Sequence, residues 1–282
     1  MGSGAAEAEI KAEAVKAGAV LAGIASVEAV NEYAPPGHRP DDILRGAVSV
    51  VVAAGGQPTG GAWFAGSARP QASVGYNRAV AGNAANKVAH FIEQRFGYRA
   101  MPCPSGNLAG HYPYASLKLM AEMAGLGTRS MAGGVILNET YGLLYYGAAL
   151  TTMPLEPDGP LDEPVCPHPS CVKTWEKRGI TPCHEACPVC LSGELADGRI
   201  GWMEFRQDLC YSRAQTTAMD SFQKLVQSAM AEPDEDTRKT IVYGSHFTRA
   251  VRSIAYSNEL SAQCFECLRP CPVGRKRRYE LK

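Results

Sequence analysis

Over the first 150 or so residues, apolar positions alternate between a helical and a strand-like period. Residues 5–18 repeat at helical spacing, and Val20 to Ser26 is a short apolar strand candidate. Ala47 to Ala54 (AVSVVVAA) is an unbroken β-branched run, as expected for a strand covered on both faces. Tyr76 to Phe96 returns to helical spacing, with Val80, Val88, Phe91 and Ile92 able to form one apolar face. Gly97 then stops that helix, and Tyr98 to Pro102 reads as a strand. Tyr114 to Gly125 predicts another helix closed by glycine, and Gly134 to Asn138 and Leu143 to Leu150 predict two further strands.

At Met153-Pro154 the pattern changes. Four prolines at 154, 157, 160 and 164 mark an extended linker. Beyond it the chain is loop-rich, with helical stretches such as 218–231 and 248–257 between groups of cysteines. The pattern predicts an α/β (or α+β) domain over residues 1–153 and a cysteine-rich domain over 154–282, without an internal repeat.

Composition adds mostly exclusions. Twenty-eight basic residues balance twenty-eight acidic ones, so no global field points to nucleic acid or an acidic surface. The basic run Arg275-Lys276-Arg277-Arg278 reads as a solvated tail. No stretch approaches the ~18 apolar residues that a membrane helix needs. Met1 to Lys16 lacks the apolar core of a secretory signal, so a cytoplasmic location is expected, where ten cysteines are not disulfides by default.

Nine of those ten lie between Cys166 and Cys271, while Cys103 stands alone. One group is Cys264-x2-Cys267-x3-Cys271-Pro272. The other is Cys166-x4-Cys171, then Cys183-x3-Cys187-Pro188, with Cys190 just after and Cys210 between the groups. A cubane 4Fe–4S cluster needs four thiolates around one small core. Two-cluster ferredoxins meet that need with interleaved motifs, in which the Cys before Pro crosses to the other cluster. On that plan Cys166, Cys171, Cys183 and Cys271 bind one cluster, and Cys187, Cys210, Cys264 and Cys267 bind the other. The first group departs from the regular spacing, so Cys190 and His168 stand as alternates there. Other readings remain open. Cys264-x2-Cys267 alone suits a zinc knuckle, and the cysteines are also open to a structural role without metal. Cys183-x3-Cys187-x2-Cys190 has the spacing of radical S-adenosylmethionine enzymes, although too little chain follows it for their barrel.

The N-terminal half also carries a resemblance. Gly75-Tyr76-Asn77-Arg78, then Phe91-Ile92, Gly97 to Pro102, Pro104-Ser105-Gly106-Asn107 and Ala124-Gly125-Leu126-Gly127 resemble the corrinoid domain of reductive dehalogenases. Gly134 to Thr152 is similar to the strand pair that follows Gly-Leu-Gly there and in epoxyqueuosine reductases, and Ala22 to Ala25 resembles the first strand of the latter. The resemblance implies a nitroreductase-like domain holding base-off cobalamin, followed by a ferredoxin-like domain with two 4Fe–4S clusters. It implies a reductase that takes electrons from a ferredoxin or flavodoxin and acts on a small organic substrate. It places Gly125, Leu126, Gly127, Gly133, Gly134 and Asn138 beside the ring, with Tyr76, His111, Tyr112 and Tyr114 as candidate proton donors; the glycines equally suit helix ends and turns. The chain departs from epoxyqueuosine reductases at Ser130-Met131-Ala132, where they carry Gly-Lys-Asn, and at His111, where they carry an Asp. Two other functions fit the same residues: a factor that reduces a corrinoid for a partner, and a cluster-only electron carrier.

Overall fold

The computed structural model describes residues 3–64, 71–103, 107–108, 112–210, 220–256 and 266–274. Its elements run α1 (Ser3–Lys16), β1 (Leu21–Ser26), α2 (Val27–Tyr33), α3 (Pro40–Ile43), β2 (Ser49–Gly55), α4 (Gly60–Phe64), α5 (Gln71–Phe96) and β3 (Ala100–Pro102). They continue with β4 (Asn107–Leu108), β5 (Tyr112–Pro113), α6 (Leu117–Met123), β6 (Thr128–Arg129), β7 (Ile136–Asn138), β8 (Gly142–Leu143) and β9 (Tyr145–Thr151). The C-terminal region adds α7 (Pro169–Arg178), α8 (Pro182–Ala186), the hairpin β10 (Leu191–Ala196) and β11 (Arg199–Phe205), and helices α9 (Asp220–Ala231), α10 (Glu235–Tyr243) and α11 (Ser245–Tyr256).

The main sheet is antiparallel, in the order β1-β2-β9-β3. All seven residues of β2 are buried, as its unbroken apolar run predicts. Successive side chains on a strand point to opposite faces, and β2 accordingly feeds two cores. Val50, Val52 and Ala54 pack with Val30, Leu119 and Met120 beneath α2 and α6. Val51 and Ala53 pack with Ile10, Ala84, Val88 and Ile92 beneath α1 and α5. Each fully buried Val contributes about 1.5–3 kcal/mol relative to an exposed one.

The predicted face of α5 is half right. Val88 and Ile92 are fully buried, but Val80 and Phe91 are only partly so, and Ala81, Ala84, Ala85 and Ala89 complete the face. The small residues are there because the helix backbone lies directly on the sheet. A Cβ on Gly147 of β9 would collide with the Ala81 carbonyl. The helix also starts earlier than its apolar period suggests, at Gln71.

The proline-rich stretch is extended, and it is fastened along its length. The Asp158 carboxylate accepts the Ile24 N–H at 2.7 Å and pairs with Lys11 Nζ at 2.5 Å, while the Asp158 N–H donates to the Ile24 carbonyl at 2.9 Å. The Leu155 N–H donates to Ser49 Oγ at 3.0 Å, and the buried Glu7 carboxylate accepts the Glu156 N–H at 3.0 Å. The path from β9 to Cys166 is thereby set by the first domain. Among the described residues, no helix is long and apolar enough to cross a membrane.

Two glycine-to-alanine changes test the close contact of α5 with the sheet. Gly147→Ala should lower stability by about 1–3 kcal/mol through overpacking. Gly82→Ala, on the exposed side of α5 where an added Cβ meets nothing, should raise it by about 0.5–1 kcal/mol. Urea unfolding of both variants checks the signs.

Candidate metal centre

Four cysteines from three chain segments line one small pocket: Cys166, Cys171, Cys183 and Cys271. Cys166 ends the fastened stretch, and the neighbouring Val165 N–H donates to Thr128 Oγ1 at 2.8 Å, which ties it to β6. Cys171 sits in the first turn of α7, whose N-cap is His168; Nδ1 of that histidine accepts the Ser170 N–H at 3.2 Å. Cys183 opens α8, with its sulfur 3.3 Å from Thr181 Oγ1. Cys271 returns from the C-terminal end, its N–H donating to the Leu268 carbonyl at 3.1 Å. Gly274 follows it and packs against the backbone of Tyr141 and Gly142 so tightly that neither glycine has room for a side chain. The pocket floor is Ser130, Met131, Ala132 and Leu137 of the first domain. Buried His184 is hydrogen-bonded through Nε2 to the Met131 carbonyl at 3.3 Å and joins α8 to that floor; burial holds its pKa below the ordinary imidazole value.

The thiols press on one another. Burial, with Cys271, Cys183 and Cys171 nearby, pushes Cys166 up to about 12. Burial, with Cys271 and Cys183 nearby, pushes Cys171 up to about 11, and burial raises Cys183. Four thiolates are unfavourable here unless a cationic core takes their charge, and that is the environment of an inorganic cluster. Among the described residues, no three Cys, His, Asp or Glu side chains are grouped as one metal ion would hold them. The four cysteines are instead spread around the lining of one pocket.

A second set adjoins the first. Cys187, Cys190 and Leu191 form a buried group against which Cys183, Phe205, Cys210 and Cys267 pack. Cys264 lies outside the described residues. Cys190, an alternate ligand by its spacing, lies in this buried group and does not line the first pocket. Both sets face the first domain: Cys183, Cys267 and Cys271 pack on Trp63, Leu143 and Tyr145, and the Arg269 guanidinium donates to the Trp63 carbonyl. Cys103 is apart, buried in the core above β9, with its thiol pushed up to about 12 by burial.

The residues expected beside a corrin ring are engaged with the chain itself. An added Cβ at Gly125 would meet the Gly159 carbonyl, and one at Gly127 would meet the Leu137 carbonyl. Leu126 is buried in the core, and Gly133 and Gly134 turn against Phe205 and Met203. Asn138 donates to the Leu126 carbonyl at 3.1 Å and accepts the Thr140 and Tyr141 N–H groups at 3.0 Å. Of the candidate proton donors, Tyr114 is exposed, Tyr76 lies on α5 and Tyr112 on β5, and His111 lies outside the described residues. Sequence reasoning passed over Tyr145, which is buried beside the cysteine motifs, its hydroxyl pKa raised by burial and opposed by Arg78. The signal for it was the tyrosine pair on β9.

No protein-family model matches the chain, and no curated protein matches it. Solved structures do. An epoxyqueuosine reductase from Streptococcus thermophilus superposes with a TM-score of 0.56 at 16% identity, over 95% of this chain and 66% of that one. A selenomethionine-labelled epoxyqueuosine reductase gives 0.50 at 15% identity, over 99% of this chain and 68% of the other. The catabolic reductive dehalogenase NpRdhA, in complex with 3-bromo-4-hydroxybenzoic acid, gives 0.50 at 17% identity, over 90% of this chain and 37% of its own. The protein has the mixed helix-and-sheet fold of these reductases. It spans about two thirds of the first and little more than a third of the dehalogenase.

The raised thiols give a pH test. Their folded pKa values exceed the ordinary 9.0, so their contribution is complete below about pH 9 and is lost as pH rises toward about 12. Cys103, Tyr145 and Tyr146 act in the same direction. The urea midpoint of iron-free, reduced protein should therefore fall between about pH 9 and 11, and fall further than that of protein reconstituted with iron and sulfide. Equal pH sensitivity of the two forms would contradict this reading of the thiol pocket.

Proposed function

We propose that the protein is a cobalamin-dependent iron–sulfur reductase, an oxidoreductase that works in the cytoplasm on a small organic substrate. The observation that carries this reading is the meeting of Cys166, Cys171, Cys183 and Cys271 in one pocket. Those four thiols would hold one 4Fe–4S cluster, and Cys187, Cys210, Cys264 and Cys267 would hold the other, in the crossed plan of two-cluster ferredoxins. The sets adjoin through Cys183 and Cys267, which favours one-electron transfer between them. A ferredoxin or flavodoxin is the proposed donor.

The chain's own residues give the centre its shape. Val165 and Thr128 fix the approach of Cys166, His184 holds α8 to the Met131 carbonyl, and Arg269 holds the last cysteine motif to Trp63. Leu137, Leu143, Tyr145 and Leu268 exclude water from the side that faces the first domain. A corrinoid, when bound, supplies a cobalt centre that takes electrons singly and attacks as a strong nucleophile. That part of the proposal is supported by the fold shared with the reductases alone. Tyr76, His111, Tyr112 and Tyr114 remain its proposed proton donors.

Anaerobic reconstitution with iron, sulfide and cobalamin, followed by metal analysis after gel filtration, tests the proposal. The intact chain should retain about eight irons and one cobalt, and Cys271→Ala about four irons. Retention of no cobalt would remove the corrinoid from the account. An unchanged iron content in Cys271→Ala would remove the crossed ligand set.

A further inference from the structure

Ser130 directly follows β6 and lines the same pocket as Cys166, Cys171, Cys183 and Cys271. It is fully buried, at 0% exposure. Both of its backbone groups are used: the Ser130 N–H donates to the Val135 carbonyl at 3.0 Å, and the Gly134 N–H donates to the Ser130 carbonyl at 3.1 Å. Its hydroxyl has no hydrogen-bond partner. That sets it apart from the other buried polar side chains among the described residues. Ser49 Oγ accepts the Leu155 N–H, the Glu7 carboxylate accepts the Glu156 N–H, and Thr151 Oγ1 donates to the Arg99 carbonyl. His184 is bonded to the Met131 carbonyl, and the Thr181 hydroxyl, on the same pocket, lies 3.3 Å from the Cys183 sulfur. A buried hydroxyl left unpaired is unfavourable, and native interiors rarely keep one. The residue after Ser130 already serves a sulfur: burial raises the Cys166 thiol, and a hydrogen bond from the Met131 backbone opposes that rise.

We infer that the Ser130 hydroxyl donates a hydrogen bond to a sulfur of the cluster bound by Cys166, Cys171, Cys183 and Cys271, and that it raises that cluster's reduction potential. A serine hydroxyl carries one donor hydrogen and turns to suit its acceptor. Thiolate and sulfide sulfurs bound to iron are acceptors. Reduction adds one negative charge to them, so a donor favours the reduced state and moves the potential upward. The four thiols complete a cubane's ligand set without an oxygen, which leaves the hydroxyl free to donate. The empty pocket thus leaves one polar group unpaired, and the filled pocket pairs it. The inference rests on the iron–sulfur reading above and needs only the first of the two clusters.

Iron analysis and potentiometric titration followed by electron paramagnetic resonance test it in full-length protein reconstituted anaerobically with iron and sulfide. An intact chain that binds no 4Fe–4S cluster would overturn the reading beneath the inference, and the inference with it. Given bound clusters, Ser130→Ala should keep all the iron, move one cluster's midpoint to more negative potential and leave the other unchanged. Ser130→Thr, which keeps the hydroxyl, should hold that midpoint near the value of the intact chain. In iron-free protein, Ser130→Ala should have a urea midpoint at least as high as that of the intact chain, because it removes an unpaired group. Full iron with unchanged midpoints in Ser130→Ala would overturn the role of Ser130 alone, as would equal shifts in the Ala and Thr variants, which would tie the potential to packing. Loss of iron from Ser130→Ala would overturn it by making the residue part of the ligand set. A lowered urea midpoint of iron-free Ser130→Ala would overturn it by showing that the hydroxyl already has a partner in the chain.

Discussion

Four thiols, whose thiolate forms would repel one another, share one small pocket, and they come from places more than a hundred residues apart in the chain. Cys166 leaves the first domain, and Cys271 returns to it from the far end. Bringing them together closes a long loop, whose entropic cost grows slowly with length. The rest of the structure is arranged around that closure. Asp158 and Ser49 fasten the segment that leads to Cys166, and Gly142 and Gly274 interlock at the segment that follows Cys271. His184 and Arg269 fasten the two intervening motifs to backbone carbonyls of the first domain. None of these contacts relieves the thiols, whose burial favours their neutral form. A cationic core in the pocket would. The fold presents the thiols, and a cluster bound there, as proposed, would make their closeness favourable.

The division of labour between the two regions follows. The first domain is a conventionally packed sheet with a core on each face, and it supplies the floor of the thiol pocket through Met131, Ala132 and Leu137. Among the described residues of the second, Cys187, Cys190 and Leu191 form one buried group, and Leu268 and Val273 join residues of the first domain in another. Helices α9 to α11 pack on one another, with Phe222 against Phe247 at 5.6 Å.

Much of this was legible in the sequence where one physical signal dominated. The run Ala47 to Ala54 announced a strand buried on both faces because nothing polar interrupts it beyond Ser49. The cysteine spacing grouped Cys166, Cys171, Cys183 and Cys271, because a cubane leaves few ways to pair two Cys-Pro endings. Other features were hidden for definable reasons. The first turn of α5 carries no apolar period, and the alanines of its inner face are too small to stand out in a periodicity. The β10–β11 hairpin left little apolar alternation to read, although Asp197-Gly198 is a strong turn signal, because β11 is mostly exposed. The burial of Cys190 was not legible, because it depends on the β10–β11 hairpin, after which the Arg206 N–H donates to the Cys190 carbonyl. Spacing also could not show that Gly125, Gly127 and Asn138 are engaged with the chain's own backbone.

The central claim is that this chain folds around two cubane clusters whose ligands cross between motifs. Mössbauer spectroscopy of the protein reconstituted anaerobically with isotopically enriched iron tests it most directly. The account predicts that essentially all bound iron belongs to 4Fe–4S centres, at about eight irons per chain. A spectrum dominated by mononuclear or 2Fe–2S iron, or an iron content near four in the intact chain, would contradict it.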